Sequence, residues 1–250
     1  MELIEYQRLY EREKFYWWNV GRRKILRGIL ERYLPKKPSR MSILDLGCGA
    51  GGNILVVKDF GEVTGLDIST EALKFSSDKG FKKLILGDAT NLSFDAASFD
   101  LVMALDVLEH IRDDRRALSE IKRVLRPGGS LLITVPAHRW LWSEHDEALY
   151  HLRRYKSSEL RDKLKETGFI IKEESHFVFL AIPFLLFHRF KRFILTLMGI
   201  RRLTDTLDII QPPLINNLLL RWLDIERFFM RYRAIPAGGS LLMFCQVKSH

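Results

Sequence analysis

The stretch "ILDLGCGAGGN", residues 43–53, runs an apolar segment straight into a turn with glycine at positions 47, 49, 51 and 52. Ile43 to Leu46 reads as a buried strand. The glycines supply a backbone free to take left-handed dihedrals, and "GNILVVKDF" after them reads as a helix. A glycine-rich turn between strand and helix is the place where open parallel sheets bind ligands. Gly47, Gly49 and Gly52 also satisfy G-x-G-x-x-G, with Asp67 about twenty residues on, which brings a dinucleotide into consideration. Asp45 argues against that ligand, because a carboxylate two residues before the first glycine would repel a pyrophosphate. It favours a ligand that carries positive charge.

Outward from the turn, short apolar runs alternate with helical ones. "SILDL", "EVTGLDI", "KKLILGD", "FDLVMALD" and "SLLITVP" are strand candidates, with "GNILVVKDF", "TEALKFSSDKG" and "RDDRRALSEIKRVLRPGG" as helices between them. This alternation predicts a parallel sheet covered on both faces. Pro127 and Gly128 are expected to stop their helix at "LRPGG". "SSELRDKLKET" (157–167) predicts a further helix capped by its first serine, "GFIIKEESHFVF" a sixth strand, and "GGSLLMFCQVK" a seventh.

Between the last two strands lie about sixty residues that a sheet does not require, since crossovers need only a dozen or so. From His176 to Ala234 they hold nine Arg/Lys against four Asp/Glu. "RFKRFILTLMGIRRL" and "NNLLLRWLDIERFFMRYR" have roughly helical apolar spacing. They read either as a helical subdomain on the sheet or as a basic amphipathic surface resting on an anionic membrane. The apolar run Phe177–Phe187 is too short to span a bilayer and runs into His188, Arg189, Lys191 and Arg192.

The chain has 250 residues, 47% of them hydrophobic, and a formal net charge of +9. That composition supports a full core and excludes disorder as the expectation. The charge points to an anionic neighbour: nucleic acid, a membrane surface or a phosphorylated substrate. Cys48 and Cys245 fit no metal spacing and suggest a reduced, cytoplasmic setting, peripheral to the membrane if the basic segment rests there. The N-terminal "MELIEYQRLYEREKFYWW" is too charged for a signal peptide.

"LDLGCGAGGN", "VTGLDIS", "GDATNLSF", "FDLVMALDVLEHI" and "RVLRPGG" occur in the order and spacing found in class I S-adenosylmethionine-dependent methyltransferases, and the chain resembles that family over about residues 15–175 and again near 240–248. The resemblance implies an α/β, Rossmann-like fold with a seven-stranded, mostly parallel sheet, helices on both faces, and a helical insertion before an antiparallel last strand. The expected division is an N-terminal helical lid (1–40), a cofactor domain (41–178 with 236–250), and the basic insertion (179–235). S-adenosylmethionine is the implied cofactor. It carries a sulfonium and an ammonium and no phosphate, which suits Asp45.

Carried over residue by residue, Gly47, Gly49 and Gly51 would let the backbone approach the cofactor, with Asp45 and Cys48 in the same loop. Asp67 would accept the ribose hydroxyls, with Ile68 against the adenine. Asp88 and Ala89 would meet the adenine amino edge, and Ala104, Leu105 and Asp106 the methionine end.

The dense segment "WSEHDEALYHLRRY" (142–155) follows the fifth strand, at the rim where a transferred methyl group should emerge. It is similar to a segment of a methyltransferase subgroup that also has a "WW…R" stretch before the sheet, here "YWWNVGRRKIL". His145, Asp146 and His151 are the candidate bases. Arg153 and Arg154 are candidates for an anionic acceptor, and Tyr16, Trp17 and His110 for the acceptor pocket; Glu109 sits beside them. The histidines lack an HExxH pattern, and no metal is expected. The expected function is methylation of a hydrophobic or membrane-associated small molecule. Rivals are a soluble-metabolite methyltransferase and a non-catalytic cofactor-binding protein. Nucleic acid is disfavoured, because the basic residues concentrate in an apolar insertion.

Overall fold

Seven strands join into one sheet in the order β3-β2-β1-β4-β5-β7-β6. In a computed structural model that describes residues 13–35, 40–180, 182–183, 186–187 and 213–249, they are β1 (Met41–Leu46), β2 (Gly61–Asp67), β3 (Lys83–Leu86), β4 (Phe99–Leu105), β5 (Leu125–Pro136), β6 (Phe169–Phe177) and β7 (Ser240–Val247). The pairs of β1 with β2 and β4, β2 with β3, and β4 with β5 are parallel, whereas β7 runs antiparallel to both β5 and β6. β1 lies between β2 and β4, so the winding direction reverses there. A crevice opens at the carboxyl ends of β1 and β4, and such switch points are where this architecture places ligands.

Each face of the sheet has its own core. On one lie α1 (Trp17–Tyr33), the single turn α2 (Ile54–Val57) and α7 (Pro213–Phe229), whose Ile25, Leu26, Ile29, Val56, Leu219 and Leu223 pack onto Ile43, Leu101 and Phe177. On the other, Ala117, Leu118 and Ile121 of α4 (Asp114–Val124) and Leu160 and Leu164 of α6 (Ser157–Thr167) cover Leu44, Val102 and Ile133. α1 and α7 touch closely, since a Cβ at Gly21 would stand 2.3 Å from Leu223 Cδ1. The remaining helices, α3 (Thr70–Asp78) and α5 (Glu144–Ala148), sit beside the crevice and at its rim.

Three local expectations change. The "LRPGG" segment belongs to β5: α4 stops at Val124 and Leu125 is already extended, paired with Phe99. Arg126 precedes a proline and is biased the same way. The helix expected over 52–60 shrinks to α2. The N-cap of α6 is Lys156, and Ser157 instead bonds His176 Nε2 at 3.1 Å. α6 does end as predicted for such a segment, on Gly168 at φ 94°.

Among the described residues no helix is long and apolar enough to cross a membrane. The expected basic run with Arg189, Lys191 and Arg192 lies outside the described residues.

Candidate active site

The glycine turn hangs from the end of β1 by two hydrogen bonds, Gly47 N–H and Cys48 N–H both donating to Leu66 O of β2 at 2.7 and 3.0 Å. Gly47, Gly49 and Gly51 all have positive φ, and the three are not equivalent. A Cβ on Gly47 would stand 2.5 Å from Val107 Cγ2, and one on Gly51 3.0 Å from the Ser76 backbone. One on Gly49 would meet nothing within 4 Å. Gly49 therefore faces open space in the crevice.

Two carboxylates lie under and beside this turn. Asp67, at the tip of β2, is buried and accepts Gly49 N–H at 2.9 Å and Ser69 N–H at 3.0 Å, so each oxygen keeps a lone pair. The adjacent Ile68 is 75% exposed, an apolar surface with nothing on it. Asp45 is completely buried. Its Oδ1 accepts a long 3.4 Å bond from Asn53 Nδ2, and its Oδ2 has no partner. Burial pushes the Asp45 carboxyl up to about 7, opposed by Asn53 and the nearby Arg22.

An unsatisfied buried carboxylate costs about 1–3 kcal/mol or more, so a cationic group is the natural complement here. Two carboxylates in a glycine crevice fit a ligand with an ammonium and vicinal hydroxyls, which S-adenosylmethionine has. They oppose a diphosphate. Asp88, at the mouth of the next strand, is exposed and accepts Thr90 N–H at 2.7 Å and Thr90 Oγ1 at 2.8 Å.

At the tip of β4, Asp106 takes the left-handed conformation at φ 57°. It accepts Thr134 Oγ1 at 2.9 Å and pairs with Arg22 Nη2 of α1 at 3.1 Å. Arg22 was not among the predicted residues. Its only sequence signal is its place one helical turn after Trp18 in "YWWNVGRRKIL". Trp17 is 6% exposed and tied by its N–H to Asn216 of α7, and Trp18 stacks on Phe177 at 5.4 Å. Trp17 is thus a core residue of the α1–α7 junction, with Tyr16 packed against the same cluster.

The rim segment holds the most concentrated polar chemistry. Asp146 is fully buried and its two oxygens accept five hydrogen bonds: Ser143 N–H, Ser143 Oγ, His151 Nδ1, and Nε and Nη2 of Arg154, at 2.7–3.2 Å. Burial alone would raise its carboxyl, but the His151 and Arg154 hydrogen bonds outweigh it and hold it far below the ordinary range. Asp146 is therefore saturated as an acceptor, which removes it from the candidate bases. Arg154 is spent on that clamp, and Arg153 is spent on Asp114 at 3.1 Å and Arg112 O at 2.9 Å. Neither arginine is left over for an anionic acceptor as expected.

His145 and His151 stay together at the rim, 6.5 Å apart by ring centre, and His110 lies 4.8 Å from His151. Burial, then the neighbouring His151, lowers His145 to about 4. Behind them Glu109 is fully buried with neither carboxylate oxygen bonded. Burial, then the charge of Asp106, pushes its carboxyl well above the usual range.

Residues 44–133 match the methyltransferase domain family. Norajmaline N-methyltransferase of Rauvolfia serpentina is 35% identical over 113 residues, 42% of this chain and 38% of its own. The solved Haemonchus contortus phosphoethanolamine N-methyltransferase 2, in complex with phosphomonomethylethanolamine and S-adenosylhomocysteine, is 25% identical with a TM-score of 0.59, covering 93% of this chain and 53% of its own. A chain of the solved complex between the Haloferax volcanii Trm112 methyltransferase activator and its candidate methyltransferase shares the fold over 99% of this chain and 96% of its own at a TM-score of 0.64 and 19% identity. The chain spans less than half the length of the curated relatives it matches.

Proposed function

We propose that this chain, which carries a class I S-adenosylmethionine-dependent methyltransferase domain, transfers a methyl group to a hydrophobic or membrane-associated small molecule held at the rim of β4 and β5. The observation that carries the reading is Asp45, a fully buried carboxylate with an unbonded oxygen at the root of the glycine turn. When bound, S-adenosylmethionine supplies a methyl carbon already activated by its sulfonium, so the protein has mainly to align, exclude water and take a proton.

In this reading Gly47, Cys48, Gly49 and Gly51 form the backbone cradle and Asp45 receives the ammonium. Asp67 and Ile68 take the ribose and one adenine face, Asp88 and Ala89 the far edge of the adenine, and Ala104 to Asp106 the methionine end. His145 or His151 removes a proton from the acceptor. His145 is neutral at pH 7 and so able to accept one. Tyr16 and His110 border the acceptor, Trp17 being taken up by the core, and Asp146 with Arg154 positions His151.

The hydrophobic acceptor is supported by α7. Leu214, Leu218, Ile225, Phe228 and Phe229 recur at helical spacing on one side, all exposed, with Arg221 among them and exposed Tyr232, Arg231 and Arg233 in the turn that follows. Such a face suits an anionic lipid surface. The second reading, a soluble metabolite, is supported by the phosphomonomethylethanolamine in the Haemonchus contortus structure.

Methyl-labelled cofactor offered with a lipid extract and with a soluble metabolite fraction tests both readings. Label in the organic phase supports the first and label in the aqueous fraction the second. Binding of S-adenosylhomocysteine without any transfer would leave a non-catalytic binding protein.

A further inference from the structure

The histidine-carboxylate cluster at the rim contains more than a proton acceptor needs. Glu109, His110 and His151 each offer one ligand atom, and those atoms lie within 4.8 Å of one another. We infer that they form a three-ligand site for a divalent transition-metal cation of the zinc class, open on its acceptor side.

Three separate features support this. The first is Glu109. It is completely buried, neither of its oxygens has a hydrogen-bond partner, and it projects into the cluster. A buried carboxylate is normally paired or metal-bound, because leaving it bare is expensive. The second is the tautomer of His151. Its Nδ1 lies 2.9 Å from Asp146 Oδ1, and a carboxylate already gripped by Arg154 can only accept. Nδ1 is therefore the donor, which leaves the Nε2 lone pair free. A carboxylate holding the far nitrogen of a ligating imidazole is the usual support of a metal-bound histidine. The third is the donor set itself. Two imidazoles and one carboxylate suit zinc and its neighbours, and three protein ligands leave a fourth position for substrate.

The cluster is wider than a closed site. Tetrahedral ligands at about 2.0–2.1 Å from the metal stand about 3.3 Å from each other. Contraction falls to His110, the exposed member, whereas Glu109 is fixed in the core and His151 by its clamp. The site lies just past β4, beside Asp106, at the rim assigned to the acceptor. Taking the methyltransferase reading as premise, a cation there would bind an acceptor oxygen and lower the pKa of its hydroxyl, which narrows the acceptor to an oxygen-bearing molecule and leaves His145, not the ligand His151, to take the proton. Metal binding itself rests on the geometry alone.

The test uses Co2+ alone and Zn2+ alone with the 250-residue chain, without cofactor. Bound Co2+ should show visible d–d absorption, and both ions should raise the melting temperature of the wild type. Glu109→Gln and His151→Asn should each reduce Co2+ affinity at least 10-fold and abolish the metal-induced rise. His138→Asn, at a histidine stacked on His176 and not among the three ligands, should keep it. Glu109→Gln should also melt higher than the wild type without metal, so its loss of binding cannot be blamed on misfolding. No rise in the wild type, or an equal rise in the two ligand variants, overturns the inference. Titration of each variant with S-adenosylhomocysteine reads the cofactor crevice separately, so a failed metal site and a failed methyltransferase reading give different results.

Discussion

Arg22 Nη2 of α1 meets Asp106 Oδ2 at the tip of β4 at 3.1 Å, with both side chains largely shielded from solvent. The contact ties α1 to the residue at which the polypeptide leaves the sheet beside the glycine-turn crevice. Asp106 holds a left-handed conformation there that aspartate tolerates better than most residues. In a double-mutant cycle Arg22→Ala and Asp106→Ala should couple by about 1.5 kcal/mol in urea unfolding, as hydrogen bonds to charged groups do when shielded. A coupling near zero would mean that α1 is held by its apolar face alone.

The glycine turn predicts a contrast between neighbours. Gly49→Ala meets open space and should cost only the left-handed backbone strain, about 1 kcal/mol. It should nevertheless weaken S-adenosylhomocysteine binding, because the new methyl group points into the crevice. Gly47→Ala adds a clash with Val107 and should lower both stability and binding. Calorimetry and chemical denaturation of the two variants separate the cases, and equal stability losses would contradict the geometry.

Asp45 makes pH a probe. Its folded value of about 7 lies above its unfolded one near 3.8, so between those values the folded state holds the extra proton. Stability from this group is therefore greatest at low pH and falls as pH rises from about 4 to about 7, by up to about 4 kcal/mol. The fall should be absent from Asp45→Asn. If the ammonium of the ligand docks on this carboxylate, S-adenosylhomocysteine binding at pH 6.5 should release a proton from the wild type and none from Asp45→Asn. Calorimetry in buffers of different ionisation enthalpy measures the release.

The Asp146 clamp is structural at its base. Asp146→Ala leaves the buried Arg154 without its counter-charge, with only Ala137 O still bonded at 3.2 Å, and frees the His151 ring. It should cost about 3 kcal/mol, the scale of breaking a buried ion pair. Arg154→Ala should cost a similar amount, and the double variant less than the sum. Additive losses would show that the two residues act independently.

The exposed face of α7 predicts lipid binding. The protein should co-sediment with anionic vesicles at low salt and release as salt rises. Leu218→Glu with Phe229→Glu should abolish co-sedimentation without shifting the melting temperature, since both side chains are about half exposed. Absence of vesicle binding by the wild type would favour the soluble acceptor.

The features legible in sequence are those written in local periodicity. The glycine turn, the acids at the strand tips and the alternation of strand and helix all lie within a few residues of their cause. The order of the strands is another matter: β7 enters between β5 and β6, and the seventh-strand pattern "GGSLLMFCQVK" says nothing of its neighbours. Side-chain assignments failed where the partner was distant. Arg153 reads as an anion binder until Asp114, 39 residues earlier, is seen to hold it. Arg22 carries no sequence assignment, because its partner Asp106 lies 84 residues downstream. Glu109 and His110 were visible in "LEHI", but their approach to His151 depends on a segment about forty residues downstream folding back, which no spacing rule encodes.

The position of β7 has a temporal consequence. β6 pairs with β7 and with no other described strand, and β5 has β4 on one side and β7 on the other. As the polypeptide leaves the ribosome, β1 to β5 can zip together in turn, but β6 has no partner when it emerges. It must wait while residues 178–239 are synthesised, about three to twelve seconds at ordinary elongation rates. During that interval the β5 edge, with its apolar Leu131, Leu132, Ile133 and Val135, stands unpaired and open to other chains. Overproduced protein should therefore aggregate through that edge before β7 appears, and a chain broken between β6 and Ser240 should lose the β6 end of its sheet while keeping the crevice beside β1.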